Sequence, residues 1–133
     1  MTHYTGIDMI EIARIKKAVA RWGERFLHRV YTDPEIKFYG KKPQSLAARF
    51  ACKEAVMKLL GTERKGVNWR EIEILSHPGG KPLINLYGMA QNKASQLGLK
   101  EISVSISHSK EYAIASVIGT AGDSDSSDLK RSG

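Results

Sequence analysis

The sequence is poor in the residues on which several common protein classes depend. Only one of its 133 residues is a cysteine, Cys52, so neither an intramolecular disulfide nor a cluster of thiolate metal ligands can form. A single cysteine is typical of a reducing compartment, and the N-terminal residues lack the basic region and apolar run of a signal peptide. We therefore expect a cytoplasmic protein.

Long apolar runs and the common nucleotide-binding motifs are also missing. No stretch reaches the roughly 20 apolar residues that a membrane-spanning helix requires, so no membrane association is expected. The sequence contains no Walker phosphate loop, no dinucleotide glycine fingerprint and no zinc-ligand spacing. Any chemistry with phosphates or metals must therefore use a different set of residues.

Positive charge, in contrast, is present in excess. The chain has 21 lysine and arginine residues against 14 acidic ones, which gives a net charge of +7. A chain this basic is expected to bind an anionic partner, which could be a nucleic acid, a phosphorylated small molecule or an acidic protein. Net charge alone does not choose among these three.

The segment from residue 45 to Gly61 predicts a buried central helix. Its apolar residues are distributed almost all the way round the helix, and Gly61 suits the left-handed position at a helix end. Glu54 and Lys58 lie one turn apart in this apolar setting. Because a charge in a core is costly unless it is paired or binds an ion, the two form either a buried structural pair or the floor of a functional site.

The remaining pattern predicts an α+β domain over residues 1–119, with a small, mainly antiparallel sheet packed on the long central helix. Residues 120–133 are rich in aspartate and serine and are expected to form a disordered tail. Pro82 predicts an edge position or the first residues of its strand. In chain order, the other predicted elements are a strand at 4–10, a helix at 12–22, a helical turn at 26–31, a short helix capped by Thr32 or Asp33, a hairpin at 71–86, a small helix at 88–97 and a hairpin at 101–118.

One predicted helix has a strongly basic side. Arg14, Lys17 and Arg21 recur at intervals of three and four residues, and Arg25 continues the series in the next segment. The helix at 12–22 contains no acidic residue that would neutralise them. This side is either an ordinary solvated surface or a docking surface for an acidic partner.

Two acidic residues, Asp8 and Glu54, occur within apolar segments. Asp8 could face solvent or cap the following helix, but the two carboxylates converge if the first strand packs beside the central helix. Two carboxylates without a soft ligand favour Mg²⁺, which keeps several waters and completes its shell with substrate phosphate. Lys58 could hold a phosphate, and His108 could donate a hydrogen bond or act as a base, although a lone histidine on such a strand is more often structural.

Three segments of the sequence resemble the signature segments of the holo-acyl-carrier-protein synthases, the small bacterial-type 4′-phosphopantetheinyl transferases. These segments are GIDMIEIARI at 6–15, RFACKEAVMK at 49–58 and SISHSKEYA at 105–113. The GVNW loop at 66–69 and the GKP turn at 80–82 are also similar. The resemblance extends over residues 4–118 in the order and spacing of the family, with Cys52 where the family often has a small apolar residue.

The resemblance implies a reaction in fatty acid and lipid biosynthesis. In this family 4′-phosphopantetheine moves from coenzyme A to a serine of apo acyl carrier protein, and adenosine 3′,5′-bisphosphate is released. Asp8 and Glu54 match the Mg²⁺ ligands, and Lys58 and His108 match residues that contact the phosphates of coenzyme A. The other residues expected at the coenzyme A site are Lys65, Lys81, Pro82 and Ser109.

The resemblance also implies two kinds of protein partner. Arg14 and Arg21 match the helix that docks the carrier protein, and Lys17 and Arg25 belong to the same basic side. Acyl carrier proteins are acidic, which would explain a basic face without neutralising residues. The family forms homotrimers with active sites between subunits, so the segment around Lys81 and Pro82 is expected to serve a neighbour's site.

Three questions stay open at the level of sequence. The attacking serine must lose a proton, for which a water held by the carboxylates or the metal is favoured over His108. The positive charge would also suit a basic nucleic-acid-binding module. That alternative lacks a recognition helix and aromatic residues interleaved with the basic ones, so no nucleic-acid partner is expected. An inactive scaffold is the third possibility, although every candidate site residue is present.

Overall fold

The structure is a computed structural model and describes residues 1–61 and 66–122. Within these residues it contains five strands and five helices, and the predicted α+β class is confirmed. A 3₁₀ turn, Trp69–Glu71, leads into the second strand. In chain order the elements are β1 Thr2–Glu11, α1 Ile12–Trp22, α2 Glu24–Val30, α3 Asp33–Tyr39, α4 Pro43–Leu60, β2 Ile72–Ser76, β3 Pro82–Leu86, α5 Gly88–Gln96, β4 Leu99–His108 and β5 Tyr112–Ala121.

Helix α4 is the buried centre of the domain, as its sequence predicts. Residues from its whole circumference, including Leu46, Cys52 and Val56, have almost no exposed surface. The helix ends at Gly61, whose φ of 74° is the left-handed conformation that glycine adopts most readily. Buried positions all round the helix explain why its sequence shows no single apolar stripe.

The strands form two antiparallel sheets, whereas the sequence predicts one. The larger sheet has the order β1-β5-β4, and the smaller consists of β2 and β3 alone. Helix α4 packs on the inner face of the larger sheet, where Ala113 and Ala115 have no exposed surface. Pro82 is the first residue of β3, a position that needs no ladder donor and that its sequence predicts.

Strand β1 approaches the backbone of α4 at Gly6. A Cβ atom placed on Gly6 would lie 2.0 Å from the carbonyl oxygen of Ala55, so only glycine fits at this separation. Side chains alternate along a strand, which puts Asp8 on the same face as Gly6 and Ile10. Gly6 therefore determines how closely Asp8 approaches the central helix.

The ends of the chain differ from the prediction in one respect. Strand β5 extends to Ala121, where Thr120 and Ala121 pair with His3 and Thr2 of β1, so the ordered domain continues two residues past the predicted boundary at 119. Residues 123–133 lie outside the described residues, and disorder of this tail stays a prediction. Among the helices that the structure describes, none is long and apolar enough to span a bilayer.

Candidate active site

Asp8 and Lys58 meet where β1 crosses α4. The Nζ atom of Lys58 donates to Oδ1 of Asp8 at 2.9 Å and to the carbonyl oxygen of Ile7 at 3.0 Å. The Asp8 side chain is 20% exposed and that of Lys58 is 54% exposed. The carboxylate is thus set into the surface, whereas the ammonium group is accessible to a ligand.

Glu54 lies one turn before Lys58 on α4 and is partly buried. Residues four apart on a helix have Cβ atoms about 5–6 Å apart. Glu54 and Asp8 therefore both neighbour Lys58, one along the helix and the other across from the strand. A fully buried pair, one of the two interpretations of the sequence, does not describe Lys58, because its side chain is half exposed.

The Asp8 and Glu54 carboxylates suit a hard cation such as Mg²⁺. Mg²⁺ is usually bound by one or two protein carboxylates, with waters and substrate phosphates completing its octahedron. Among the residues that the structure describes, no group of three histidine, cysteine or acidic side chains is arranged to hold a metal. Two carboxylates are the protein ligands that such an open Mg²⁺ site uses.

A second candidate group surrounds a cavity of about 430 Å³ between α4, the β2–β3 turn and β4. His108, at the end of β4, and Pro82, at the start of β3, line this cavity together with Arg49 of α4. His108 is exposed, and Arg49 is buried with its guanidinium group stacked 3.4 Å from the ring centre of Tyr39. A histidine and an arginine that share a polar cavity can hold a phosphate.

Within one chain, these two groups lie apart. Asp8 is aligned across the sheet with Ile106, and His108 lies two residues further along β4. Two strand spacings and a two-residue step place the backbones of Asp8 and His108 roughly 12 Å apart. The sequence predicts that Asp8, Lys58 and His108 belong to one site. In one chain Asp8 and Lys58 meet while His108 lines a separate cavity, so the role of His108 beside them stays a prediction.

The other residues predicted to contact the ligand occupy turns. The Oγ atom of Ser109 accepts from the amides of Glu111 and Tyr112 and shapes the β4–β5 turn beside His108. Lys81 is exposed in the β2–β3 turn, where its carbonyl oxygen accepts from the amide of His77 at 2.8 Å. Lys65 lies outside the described residues, so its predicted role stays a prediction.

The basic side of α1 continues into α2 as one exposed surface. Arg14, Lys17, Arg21 and Arg25 are all exposed. Trp22 is 49% exposed, and the guanidinium carbons of Arg21 and Arg25 lie 5.0 and 5.9 Å from its ring centre. A cavity of about 340 Å³, lined by Trp22, Arg25, Phe26 and Arg29, lies next to this tryptophan. The surface thus combines positive charge with an apolar recess.

Four charged residues are buried although the sequence does not predict it: Glu35, Arg49, Lys53 and Glu73. Lys53 and Glu35 have no exposed surface and form an ion pair of 2.7 Å, and Glu73 is only 5% exposed. Glu73 accepts hydrogen bonds from Thr32, Asn85 and Tyr87. One pattern in the sequence could have indicated burial: two basic residues, Arg49 and Lys53, lie four positions apart on the same side of an otherwise apolar helix.

Burial and pairing shift the pKa values of these groups in directions that follow from their contacts. Burial lowers the pKa of Lys53, and the adjacent Glu35 carboxylate opposes that shift. For Glu73, burial favours the neutral acid, but hydrogen bonds from Thr32, Asn85 and Tyr87 outweigh it and lower the pKa. Burial also raises the pKa of Cys52 to about 12, so its thiol is unreactive in the folded protein.

Comparison with known proteins relates this geometry to one family. The model of the 4′-phosphopantetheinyl transferase superfamily matches residues 4–117. A holo-[acyl-carrier-protein] synthase of Dehalococcoides mccartyi strain CBDB1 is 54% identical over 115 residues, which cover 86% of this chain and 96% of that relative. The enzyme of the same name from Herpetosiphon aurantiacus is 50% identical over 122 residues, covering 86% of this chain and 96% of its own length.

Solved structures give the same result. The holo-[acyl-carrier-protein] synthase of Helicobacter pylori, in complex with coenzyme A, superposes with a TM-score of 0.79 at 37% identity, covering 87% of this chain and 99% of that one. The match includes both the strand that carries Asp8 and the helix that carries Glu54 and Lys58. The chain therefore belongs to the 4′-phosphopantetheinyl transferase superfamily, among the holo-[acyl-carrier-protein] synthases.

Proposed function

We propose that this protein transfers 4′-phosphopantetheine from coenzyme A to a serine of apo acyl carrier protein in an Mg²⁺-dependent reaction. The observation that carries the proposal is the meeting of Asp8 with Lys58, one helical turn from Glu54, inside the family's matched segments. This group provides oxygen ligands for a hard cation and an accessible ammonium group for a phosphate. The names of the relatives and the coenzyme A complex of the Helicobacter protein support the same reaction.

The reaction exchanges one bond to phosphorus for another. The serine Oγ forms a bond to the phosphorus that bears pantetheine, the diphosphate P–O bond breaks, and adenosine 3′,5′-bisphosphate leaves with the electron pair. The serine proton passes to a water held by the Asp8 and Glu54 carboxylates, which is our preferred base. When bound by these carboxylates, Mg²⁺ supplies Lewis-acid stabilisation of the diphosphate.

Lys58 is suited to compensate negative charge on the transferred phosphate. Its side chain is half exposed, so the ammonium group can turn from Asp8 to a phosphate oxygen without being drawn out of a core. A lysine ammonium binds phosphate as a compact point charge and does not impose a bidentate geometry. Donors fixed where charge develops lower the barrier of phosphoryl transfer.

Substituting the two carboxylates tests the metal assignment. We expect Asp8→Asn and Glu54→Gln each to abolish transfer. The thermal unfolding temperature should change little, because both residues are only partly buried. Glu11→Gln, at an exposed position on the same strand as Asp8, is the matched control and should retain activity. The readout is the mass gain of an apo carrier protein incubated with coenzyme A and Mg²⁺. Full activity of either variant, or activity undiminished by a chelator, would contradict the assignment.

We further propose that the basic surface of α1 and α2 docks the acidic carrier protein. Arg25 lines the recess beside Trp22 and Arg21 lies over the Trp22 ring, so an acidic helix with one apolar side chain would match both the charge and the shape of this surface. The double change Arg14→Glu and Arg21→Glu should raise KM for the carrier protein and leave KM for coenzyme A nearly unchanged. Lys37→Glu, at an exposed position on α3, is the control. Unaltered carrier-protein kinetics in the double variant would remove this role.

The outer face of the larger sheet supports the homotrimer expected from the family resemblance. Ile7 and Met9 are 62% and 58% exposed, and Ile114 and Ile118 of β5 lie beside them on the same face. A contiguous apolar face of this kind is characteristic of an interaction surface. One chain carries two candidate half-sites: the first consists of Asp8, Glu54 and Lys58, and the second is the cavity with His108 and Arg49. We infer that a second copy covers the apolar face, because the two half-sites of one chain lie apart and a neighbouring subunit can complete each of them.

Mixing inactive subunits tests this arrangement directly. Asp8→Asn disables the first half-site and His108→Ala the second, so neither homo-oligomer should be active. If each active site takes its parts from two chains, mixed oligomers contain some intact sites and activity returns after exchange. Native mass spectrometry must show that mixed oligomers form, and their continued inactivity would refute the shared site. The change Met9→Glu should dissociate the oligomer into monomers.

Cytoplasmic residence is likewise our inference from the composition. The single cysteine is buried, and burial keeps its thiol protonated, as suits a protein with no use for a disulfide. Fractionation of cells that produce the tagged protein should recover it with the cytoplasmic markers, and recovery in a periplasmic or membrane fraction would contradict the inference.

A further inference from the structure

The outer edge of β2 is hydrogen bonded by side chains rather than by another strand. The carbonyl oxygen of Ile72 accepts from Nζ of Lys53, and that of Ile74 accepts from Nε of Arg49 at 2.9 Å. Between them, the amide of Ile74 donates to Oε2 of Glu35 at 2.8 Å. An unpaired strand edge normally invites a further strand. Here three charged side chains from α3 and α4 take the place of a strand along this edge.

Lys53 and Glu35, which make two of these edge contacts, are fixed by an ion pair and by further hydrogen bonds. Lys53 and Glu35 have no exposed surface, and their Nζ and Oε1 atoms lie 2.7 Å apart. Lys53 also donates to the carbonyl oxygen of Trp69 at 3.1 Å, and Glu35 accepts from the amide of Thr32 at 2.8 Å in the capping box of α3. Each charge is therefore paired and hydrogen bonded, which is the condition for burying it without a large penalty.

The strand held in this way leads directly to the second half-site. β2 continues through the turn at residues 77–81 into β3, and both Gly80 and Pro82 line the cavity that contains His108 and Arg49. Arg49 itself bonds to Ile74 and to Ser76 at the end of β2. Movement of β2 relative to α4 would therefore displace one wall of this cavity while leaving Asp8, Glu54 and Lys58 in place.

We propose that Lys53 and Glu35 are positioning residues for the cavity that contains His108 and Arg49, which we assign to coenzyme A. They fix the β2–β3 hairpin against α4 through the outer edge of β2. The inference rests on the proposed transferase function and adds to it a cause for the cavity's shape. Lys53 precedes Glu54 in sequence but points to a different side of α4, so one helix carries a proposed metal ligand and the attachment of the hairpin. Neither Lys53 nor Glu35 reaches the surface, so neither contacts the substrate.

The test compares two variants that both disturb the buried core. The double variant Lys53→Met with Glu35→Gln removes both charges together, which avoids an unpaired buried ion. Cys52→Ala changes the adjacent buried residue on α4 and leaves the edge contacts intact. If the double variant does not fold, Lys53→Gln with Glu35→Gln gives the same comparison, since it also removes both charges together, keeps an amide donor near the edge of β2 and keeps an acceptor for Thr32.

We expect the double variant to raise KM for coenzyme A by about tenfold or more, because displacements near 1 Å can have large kinetic effects. kcat and KM for the carrier protein should change little, and amide hydrogen exchange over residues 72–86 should accelerate. Cys52→Ala should lower the unfolding temperature without these changes. An unaltered KM for coenzyme A in a folded variant would overturn the positioning role. Inactivity of the wild-type protein would instead refute the proposed function, and hydrogen exchange would then still show whether the pair fixes the hairpin.

Discussion

The close approach of β1 to α4 makes a specific prediction for Gly6→Ala. The added methyl carbon would lie 2.0 Å from the carbonyl oxygen of Ala55 and 3.1 Å from the amide nitrogen of Leu59. Both atoms belong to the backbone of the central helix and cannot rotate away. Strand and helix must therefore separate by more than 1 Å, on the order of the shortfall from an ordinary van der Waals contact.

The energetic cost has two parts of opposite sign. Overpacking in a well-packed core costs about 1–3 kcal/mol, and a rigid backbone neighbour favours the upper end of that range. The loss of glycine's freedom in the unfolded chain returns roughly 0.4–1 kcal/mol. The expected net destabilisation is about 2 kcal/mol, which lowers the unfolding temperature of a domain this size by roughly 6–10 °C.

The same displacement should affect catalysis, because Asp8 lies two residues from Gly6 on the same face of β1. A misplacement near 1 Å can reduce a rate by about 100-fold, so kcat/KM should fall by about tenfold to 100-fold. Unfolding is followed by circular dichroism at one fixed protein concentration, since subunit association would otherwise shift the midpoint. Transfer is followed by the mass of the carrier protein.

Gly79→Ala provides the matched control. A Cβ atom at Gly79 meets nothing within 4 Å, so this change should leave both unfolding and transfer close to those of the wild type. If Gly6→Ala matched Gly79→Ala in both measurements, the proposed close contact between β1 and α4 would be refuted. A stability loss without a rate loss would show that Asp8 is positioned independently of Gly6.

Two further predictions follow from buried titratable groups. Cys52 is buried with its pKa raised to about 12, so it should react with a thiol reagent at neutral pH at the rate of unfolding and react promptly in denaturant; prompt labelling of the native protein would contradict its placement. The pKa of Glu73 is below its ordinary value of 4.5, so its ionised form contributes stability above that pH, and the contribution is lost as the pH falls through the lowered pKa. The stability advantage of the wild type over Glu73→Gln, from urea unfolding, should therefore shrink as the pH falls below 4.5, whereas a constant difference would contradict the shift.

The elements that could be predicted from sequence are those whose signals are local. Thr32 and Glu35 form the capping box at the start of α3, and Gly61 ends α4 in the left-handed conformation, as its residue type predicts. Pro82 begins a strand because it has no amide hydrogen to donate. In each case a few neighbouring residues contain the whole physical cause.

The burial of charged side chains could not be predicted from the sequence, because its cause is not local. Glu73 lies in a strand of alternating pattern, and its partners come from two other segments: Thr32 at the start of α3, and Asn85 and Tyr87 at the end of β3. Lys53 and Glu35 are similarly buried by partners 18 residues apart in the chain. Whether a charge can be buried depends on how many donors and acceptors surround it, and that number is set by tertiary packing.

The sequence alone determined the class of fold, the buried central helix, the basic face and the identity of the residues in the family's signature segments, because helix and strand periodicity and motif spacing are properties of the linear chain. Only the tertiary structure decided that Asp8 pairs with Lys58, that His108 lies with Arg49 in a different cavity, and that two sheets form instead of one. These outcomes depend on which strand edges and side chains packing brings together across long separations in sequence. Strand order and the direction of a charged side chain are fixed by the need to satisfy every buried polar group, which residue spacing cannot reveal.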